Sequence, residues 1–407
     1  MTDSATGAPA AARLIVVSND GVEYVLGRPD LGIYVAVPEP GAAFVRALID
    51  GESVPEATIR ASAVAGEPVD GADFMAALSA AGLFGPAGEA GADASSSRGG
   101  PRWWAGVRPE RAAWHFGRVA WCCYGIAVVA VLVLLRTRPE VRPNVEHLWF
   151  LPDPVWSSLA LLPIAVLLTA LHEAGHWLAG RAAGVPAAFR VSHRGIFVVF
   201  ETDLTQIVAL PRRRRYGPFL AGMAFDVVVL AAVLGLRSLN TADVVDLPGF
   251  ADRLLAAVAI LVTTSVVWQW TGIFLRTDVY AVLANALRCH NLYRATWLTV
   301  KDRLVTLTDA ERDELEAISE HDRRVARWFG LLYAAGLVAQ TWWVLRIFVP
   351  YLIAMGSWIV DNVTSLAVTS GAFWSCVLAA LFVAARYGLP PLLALRERRL
   401  RSRGVLL

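Results

Sequence analysis

Lysine and cysteine are scarce in this chain. Lys301 is the only lysine, so nearly all of the 37 basic residues are arginine. No two of the four cysteines form a C-x-x-C pair; they are Cys122, Cys123, Cys289 and Cys376. That spacing favours neither a disulfide framework nor a cysteine-rich zinc site. The net charge is only +2, so charge predicts no nucleic-acid partner.

The start of the sequence also lacks a signal peptide. No basic segment followed by an apolar segment is found there, so we expect the N-terminus to stay in the cytosol. The abundance of Ala, Gly and Val, with arginine in place of lysine, is typical of a GC-rich bacterial genome. This composition therefore predicts a bacterial protein.

Long apolar runs dominate the rest of the chain. Hydrophobic residues make up 56% of the sequence, which excludes an ordinary soluble enzyme and predicts a polytopic α-helical membrane protein. Six runs have about the length that crosses a bilayer as a helix. They cover residues 119–135, 159–180, 216–236, 254–275, 328–349 and about 366–387.

Four parts follow from these runs. Residues 1–85 contain β-rich segments and then three short helical patterns, which predicts a small cytosolic α+β domain. Residues 86–118 form a Gly/Ala/Ser-rich linker with a juxtamembrane segment. Residues 119–390 form the transmembrane domain, and residues 391–407 a basic cytosolic tail.

The N-terminal part resembles the winged-helix chaperones that bind leader peptides in the biosynthesis of pyrroloquinoline quinone and other ribosomally made peptides. The similar features are the segment 32–37, the helical segment 42–50 and the closing Ala-Ala-Gly-Leu-Phe at 80–84. The resemblance implies a winged-helix-like fold and a leader peptide as partner. A generic winged helix without a peptide ligand is the alternative, because a fold alone does not define a function.

Arginine clusters predict the orientation in the membrane. They follow the second, fourth and sixth runs, which places those segments and both termini in the cytosol. The loop after the first run carries Arg136, Arg138 and Arg142, which favour the opposite orientation. These arginines are fewer than those in the segments predicted to be cytosolic. We therefore expect a multi-pass protein of the bacterial inner membrane with both termini in the cytosol.

The second run ends in Leu-His-Glu-Ala-Gly-His, residues 171–176. His172 and His176 are spaced i, i+4, so both imidazoles lie on one face of a helix and can bind one zinc ion, with Glu173 as general base. Ionisable groups at membrane depth are costly and indicate function. The alternative is two unrelated histidines on a buried helix.

A catalytic zinc ion needs a third protein ligand and an open position. The candidates are Glu201, Asp203, Asp226, Asp278 and His290. Asp278 follows the fourth run and lies at the same predicted membrane face as His176. Asp226, inside the third run, is a candidate for orienting a ligand or the substrate, and Asp203 for a position near the mouth of the site.

Together these segments resemble the site-2 protease family of intramembrane zinc metalloproteases, in its peptide zinc metalloprotease branch. The zinc-helix motif, the basic run with an Ala-Gly pair at 211–222, and Leu-Arg-Thr-Asp-Val-Tyr at 275–280 with Asn-Leu-Tyr-Arg at 291–294 carry the resemblance. It implies that His172, His176 and Asp278 bind Zn²⁺ and that Glu173 is the catalytic base. Val279 occupies the family's glycine position, a departure that bears on the backbone at Asp278.

The implied activity is hydrolysis of a peptide bond in a membrane-associated or ribosomally made peptide. His193 and the arginines 212–215 are candidate donors to the reacting carbonyl, although arginines at this position also serve as membrane-side anchors. The β-rich stretch 191–203 can hold an unwound substrate by strand addition, or form a plain structural hairpin. Two other functions stay open: a non-catalytic component that binds or exports a peptide, and a regulatory protease that releases a membrane-anchored factor.

Overall fold

The structure, a computed structural model, describes residues 15–19, 24–28, 33–84, 107–185, 187–194, 197–203, 207–208, 210–381 and 384. The side chains of residues 188–201 and 203 lie outside this description. The chain divides into two compact units. One comprises residues 1–117, 176–190 and 202–218, and the other comprises residues 118–175, 191–201 and 219–407.

Three strands precede three helices in the N-terminal part of the chain, in the order that the sequence predicts. Strands β1, β2 and β3 are antiparallel, with β2 in the centre; they span Val16–Asn19, Tyr24–Arg28 and Ile33–Val37. Helices α1, α2 and α3 span Glu39–Asp50, Val54–Ala65 and Gly71–Ala80. Phe44 meets Phe74 edge to face inside a shared apolar core that includes Leu26 and Leu48.

Side-chain caps explain where two of the three helices of this domain begin, α2 and α3. Ser53 is the N-cap of α2, and the carboxylate of Glu56 accepts its backbone N–H at 2.8 Å, as the Ser-Val-Pro-Glu sequence predicts. Asp70 caps α3 by accepting two backbone N–H groups. Arg28 is fully buried and donates to the carbonyl oxygen of Leu83 at 2.7 Å, which ties the end of the domain to its central strand.

Within the described residues, five helices are long and apolar enough to cross a membrane. A short helix, α4, spans Pro109–Ala113 and precedes the first of them. Next in the chain come α5 at Arg118–Thr137, α6 at Pro154–Ala182, strands β4 and β5 at Ala188–Arg194 and Phe197–Asp203, α7 at Arg212–Thr241 and α8 at Gly249–Thr271. The first four predicted runs lie within or largely overlap α5, α6, α7 and α8, and β4 pairs with β5 in a two-stranded sheet.

Burial separates the helix at the centre from those at the periphery. Only 6% of the apolar stretch of α5 and 11% of that of α6 is buried within the protein, against 44% for α7. Val119, Ile126 and Leu132 of α5 are exposed. Since burying such a side chain is favourable by about 1.5–3 kcal/mol, an exposed apolar face of this length favours a lipid environment over water.

The charged segment after α8 folds as a small helical layer. Helices α9, α10 and α11 span Asp278–Ala286, Leu292–Leu304 and Asp309–Ala317. Their apolar faces share a core with the start of the next long helix, including Leu292, Leu298 and Phe329. The ion pairs Arg294–Glu314 and Lys301–Glu311 join α10 to α11.

The end of the chain differs from the prediction in one respect. Helix α12, Glu320–Trp343, continues through a π-helical turn at Val344–Phe348 into α13, Val349–Ser365, so helix extends well past the predicted end of the fifth run. A shorter apolar helix, α14, follows at Gly371–Leu381. Most of the chain after it, with the basic tail, lies outside the described residues, so the sixth span stays a prediction.

The Lys301–Glu311 pair makes the stability of the protein depend on pH in the acidic range. The Lys301 ammonium and the Thr308 cap lower the pKa of Glu311 from 4.5 to about 2. A depressed carboxyl pKa contributes stability that is fully present above pH 4.5 and is lost as the pH falls towards 2. We expect Glu311→Gln to lower the melting temperature near neutral pH, with a difference from wild type that shrinks below pH 4.5.

Thermal unfolding of the detergent-solubilised protein across this pH range measures the effect. Glu316→Gln removes an exposed carboxylate from the same helix and controls for the change in net charge. A melting difference for Glu311→Gln that stays constant from neutral to acid pH would contradict the prediction.

Candidate metal centre

Helix α6 carries three metal-binding side chains on one buried face. His172, Glu173 and His176 have relative exposures of 7%, 9% and 4%. One potential ligand atom from each lies within 4.8 Å of the others. Helical spacing brings the two histidines together, because residues i and i+4 lie one above the other. The group is therefore a buried His-Glu-His cluster that can hold a metal ion.

The Nδ1 atom of each imidazole makes a hydrogen bond. The Nδ1 atom of His172 lies 2.8 Å from Oδ2 of Asp226 on α7, and the Nδ1 atom of His176 lies 2.7 Å from the carbonyl oxygen of Pro218. Each of these oxygens accepts a hydrogen bond, which fixes the proton on Nδ1 and the lone pair on Nε2. Metal-binding histidines are oriented in this way, by a carboxylate or a backbone carbonyl on the nitrogen that does not bind the metal.

The other nitrogen of His172 faces a second carboxylate. Its Nε2 atom lies 3.0 Å from Oδ2 of Asp278. A neutral imidazole carries one N–H and one lone pair, and Asp226 takes the N–H. The Nε2 lone pair would then face a carboxylate, which is repulsive. The contact therefore requires a second proton or a metal ion between Nε2 and Asp278.

The separation of these two atoms suits a shared zinc ion. Two ligands at about 2.0–2.1 Å from a tetrahedral zinc ion are about 3.3 Å apart. Nitrogen and carboxylate oxygen are both zinc ligands. The residues present thus fit Zn²⁺. The carboxylate within the cluster of three ligand atoms is that of Glu173. Asp278 lies outside that cluster and contacts it through Nε2 of His172.

Contacts from the end of α8 position Asp278. Its backbone N–H donates to Oε1 of Gln269 at 3.0 Å, and the hydroxyl of Thr277 donates to the carbonyl oxygen of Gln269 at 2.8 Å. Arg276 takes the left-handed conformation, with φ of 59°, and turns the chain into α9. Val279 is helical and buried, so this position does not need the conformational freedom of the family's glycine.

A close helix crossing brings α7 to the motif. A Cβ atom on Gly175 would lie 2.8 Å from the carbonyl oxygen of Ala221 and 3.1 Å from the ring of Phe225. Only glycine allows this approach, since real side chains essentially never show such a contact. The approach sets α7 at the distance from which Asp226 reaches His172.

The remaining candidates have different outcomes. His290 is exposed, in agreement with a surface position, and lies outside the cluster. The side chains of His193, Glu201 and Asp203 lie outside the described residues. Arg215 is buried and donates to the carbonyl oxygens of Val208 and Leu210, which is a loop-bracing role.

Sequence reasoning missed two of the supporting contacts. Gln269 was given no role, because a glutamine near the end of an apolar run carries no motif. The carbonyl of Pro218 was also missed, since a backbone acceptor has no sequence signal beyond the proline itself. Asp226, in contrast, has a sequence signal, because a carboxylate inside an apolar run needs a partner.

No protein-family model, curated protein or solved structure matches this chain. The resemblance to site-2 proteases therefore stays a prediction that depends on the motifs and on the geometry described above.

The Gly175 crossing predicts a steric effect on the site. Gly175→Ala should push α7 away from α6, lower the stability by about 1–3 kcal/mol as overpacking does, and weaken zinc retention. Gly235→Ala on α7, where nothing lies within 4 Å of the added methyl group, is the matched control and should leave both unchanged or slightly improved. Melting temperature and zinc content measure the two effects; equal behaviour of the variants would refute the crossing.

The Asp226 contact predicts a graded effect on metal affinity. Removing the acceptor behind a metal-binding histidine weakens metal binding about 10–100-fold, so we expect that loss for Asp226→Ala. Asp226→Asn keeps an acceptor oxygen and should lose less. Competition with a chromogenic zinc chelator measures both affinities. Wild-type affinity in Asp226→Ala would show that the contact does not orient a ligand.

Proposed function

We propose that this protein is a membrane-embedded zinc metallopeptidase. The observation that carries the proposal is the two-sided contact of His172, whose Nδ1 faces Asp226 while Nε2 faces Asp278. Pro218 orients His176 so that its Nε2 is free to bind a metal ion, and a metal ion at Nε2 of His172 would neutralise the charge of Asp278. His172, His176 and Asp278 would be the ligands of a zinc ion, with a fourth position for water.

Glu173 is the catalytic base in this proposal. A zinc ion held there would acidify a bound water molecule and polarise the peptide carbonyl. Glu173 takes the proton of the attacking water and returns it to the leaving amine. The carboxylate lies beside both histidines within the same 4.8 Å cluster, which supports this role. A purely structural site has no need of such a base.

The substrate in this proposal is a peptide at or in the membrane. The site lies on a helix long and apolar enough to cross a bilayer, which favours a membrane-associated substrate over a soluble one. The two-stranded sheet β4–β5 offers an edge for strand addition, a mode that holds an extended peptide through backbone hydrogen bonds. The resemblance of the N-terminal domain to leader-peptide chaperones extends the proposal to ribosomally made peptides.

Localisation follows from the same features. Five membrane-length helices favour an integral membrane protein, and the arginine clusters favour cytosolic termini and a metal site near the cytosolic face. We place the protein in the bacterial inner membrane on these grounds.

A comparison of wild type with Glu173→Gln tests the catalytic role. Glu173→Gln should keep its zinc yet lose hydrolysis by about 10²–10⁴-fold, because only the proton acceptor is removed. The measurement is quantitative peptidomics of membranes that contain either variant, in search of new peptide termini. Termini that appear with wild type and disappear with Glu173→Gln support the proposal.

The same experiment has a clear negative outcome. If wild type and Glu173→Gln yield identical peptide termini while both retain zinc, the protein is not a peptidase under these conditions of expression. A non-catalytic component that binds or exports a peptide would then explain the site better.

A further inference from the structure

A second cluster of metal-binding side chains lies away from the zinc helix. Cys289 follows the end of α9, and His321 and Asp322 lie in the first turn of α12. One ligand atom from each lies within 4.8 Å of the others. More than 30 residues separate the two parts of the cluster in sequence, so no motif spacing announces it. The function proposed above makes no use of these residues.

Hydrogen bonds hold the three side chains in place. The carbonyl oxygen of Leu287 accepts from Nε2 of His321 at 2.8 Å, and the Cys289 sulfur lies 3.5 Å from the same oxygen. With the proton on Nε2, the lone pair of His321 is on Nδ1 and can bind a metal ion. The Asp322 carboxylate, only 2% exposed, accepts the backbone N–H groups of His290 and Asn291.

We propose that Cys289, His321 and Asp322 bind a second transition-metal ion. Sulfur, imidazole nitrogen and carboxylate oxygen together suit Zn²⁺, whereas Mg²⁺ and Ca²⁺ prefer oxygen alone. The Cys289 thiol loses its proton to solvent on binding, since the thiolate is the ligand. Cys289 and Asp322 are buried and His321 is exposed, so the cluster lies at the protein surface, where solvent could reach a bound ion.

The position of this site suggests what the ion does. Helix α9 begins at Asp278, the proposed ligand of the first site, and Leu287 caps its other end about 13 Å away at 1.5 Å per residue. A metal ion on Cys289 and α12 would fix the end of α9 opposite to Asp278. The second ion thus braces the helix that delivers a ligand to the first.

A simpler role for Asp322 competes with this proposal. Asn291 is the N-cap of α10, so the contacts of Asp322 with the N–H groups of His290 and Asn291 also hold the start of that helix. That role needs neither Cys289 nor His321. Variants of these two residues therefore separate a metal site from a helix cap.

The experiment uses the full chain in detergent, loaded with Zn²⁺ or Co²⁺ and freed of excess metal. We expect about two ions per chain in wild type and about one in His176→Ala, which disables only the first site. His321→Ala should also lose about one ion, while His290→Ala, an exposed neighbour, should lose none. With Co²⁺, a sulfur-to-metal charge-transfer band should disappear in Cys289→Ser and persist in Cys376→Ser.

Two results would overturn the proposal. One is a metal content in His321→Ala equal to that of wild type, with no charge-transfer band in any Co²⁺ sample. The other is a band that survives Cys289→Ser. Because the His321 side chain is exposed, His321→Ala should fold even if Cys289→Ser does not. If only the first site fails, wild type and His176→Ala should each hold about one ion and His321→Ala none. If only the second site fails, His321→Ala should hold as much metal as wild type, so the two failures are distinguishable.

Discussion

The site depends on the imidazole of His172 and its two carboxylates. Asp226 on α7 fixes one nitrogen, and Asp278 at the start of α9 faces the other. A single neutral ring cannot satisfy both, so the contact creates a demand for a cation at Nε2. This contact joins three helices that are distant in sequence. The orientation of α6, the close approach of α7 and the turn before α9 together position these atoms.

The free-energy cost of placing charges inside an apolar helix bundle explains these contacts. An isolated carboxylate there costs far more than a hydrogen bond returns, so Asp226 is tolerable only with a partner. Gly175 makes the partner reachable, because its missing side chain lets the backbone at Ala221 approach α6. His176 uses the carbonyl of Pro218 instead of a carboxylate, which orients the ring without adding another charge. These contacts orient the two histidines of the site.

Much of the fold follows from local sequence. The helix of His172 and His176, the capping box at Ser53 and the long apolar helices are each determined by spacing within one segment. The contacts of Asp226 and Gln269 depend on how separate helices pack, so the sequence of a single segment does not predict them. The resemblance singles out Val279 for its effect on the backbone at Asp278, whereas the left-handed residue before α9 is Arg276, which no motif indicates. The cluster at Cys289 was invisible because its other members come from a separate helix.

Zinc content of the purified protein tests the central claim most directly. Wild type, Glu173→Ala, His176→Ala and Asp278→Ala would be analysed side by side, with His321→Ala to account for the second site. The geometry predicts that Glu173→Ala keeps the wild-type metal content, whereas His176→Ala and Asp278→Ala each lose about one ion. Wild-type metal content in Asp278→Ala would contradict the account, since a proton and not a metal ion would then join Asp278 to His172. Absence of metal from the wild-type protein would contradict it altogether.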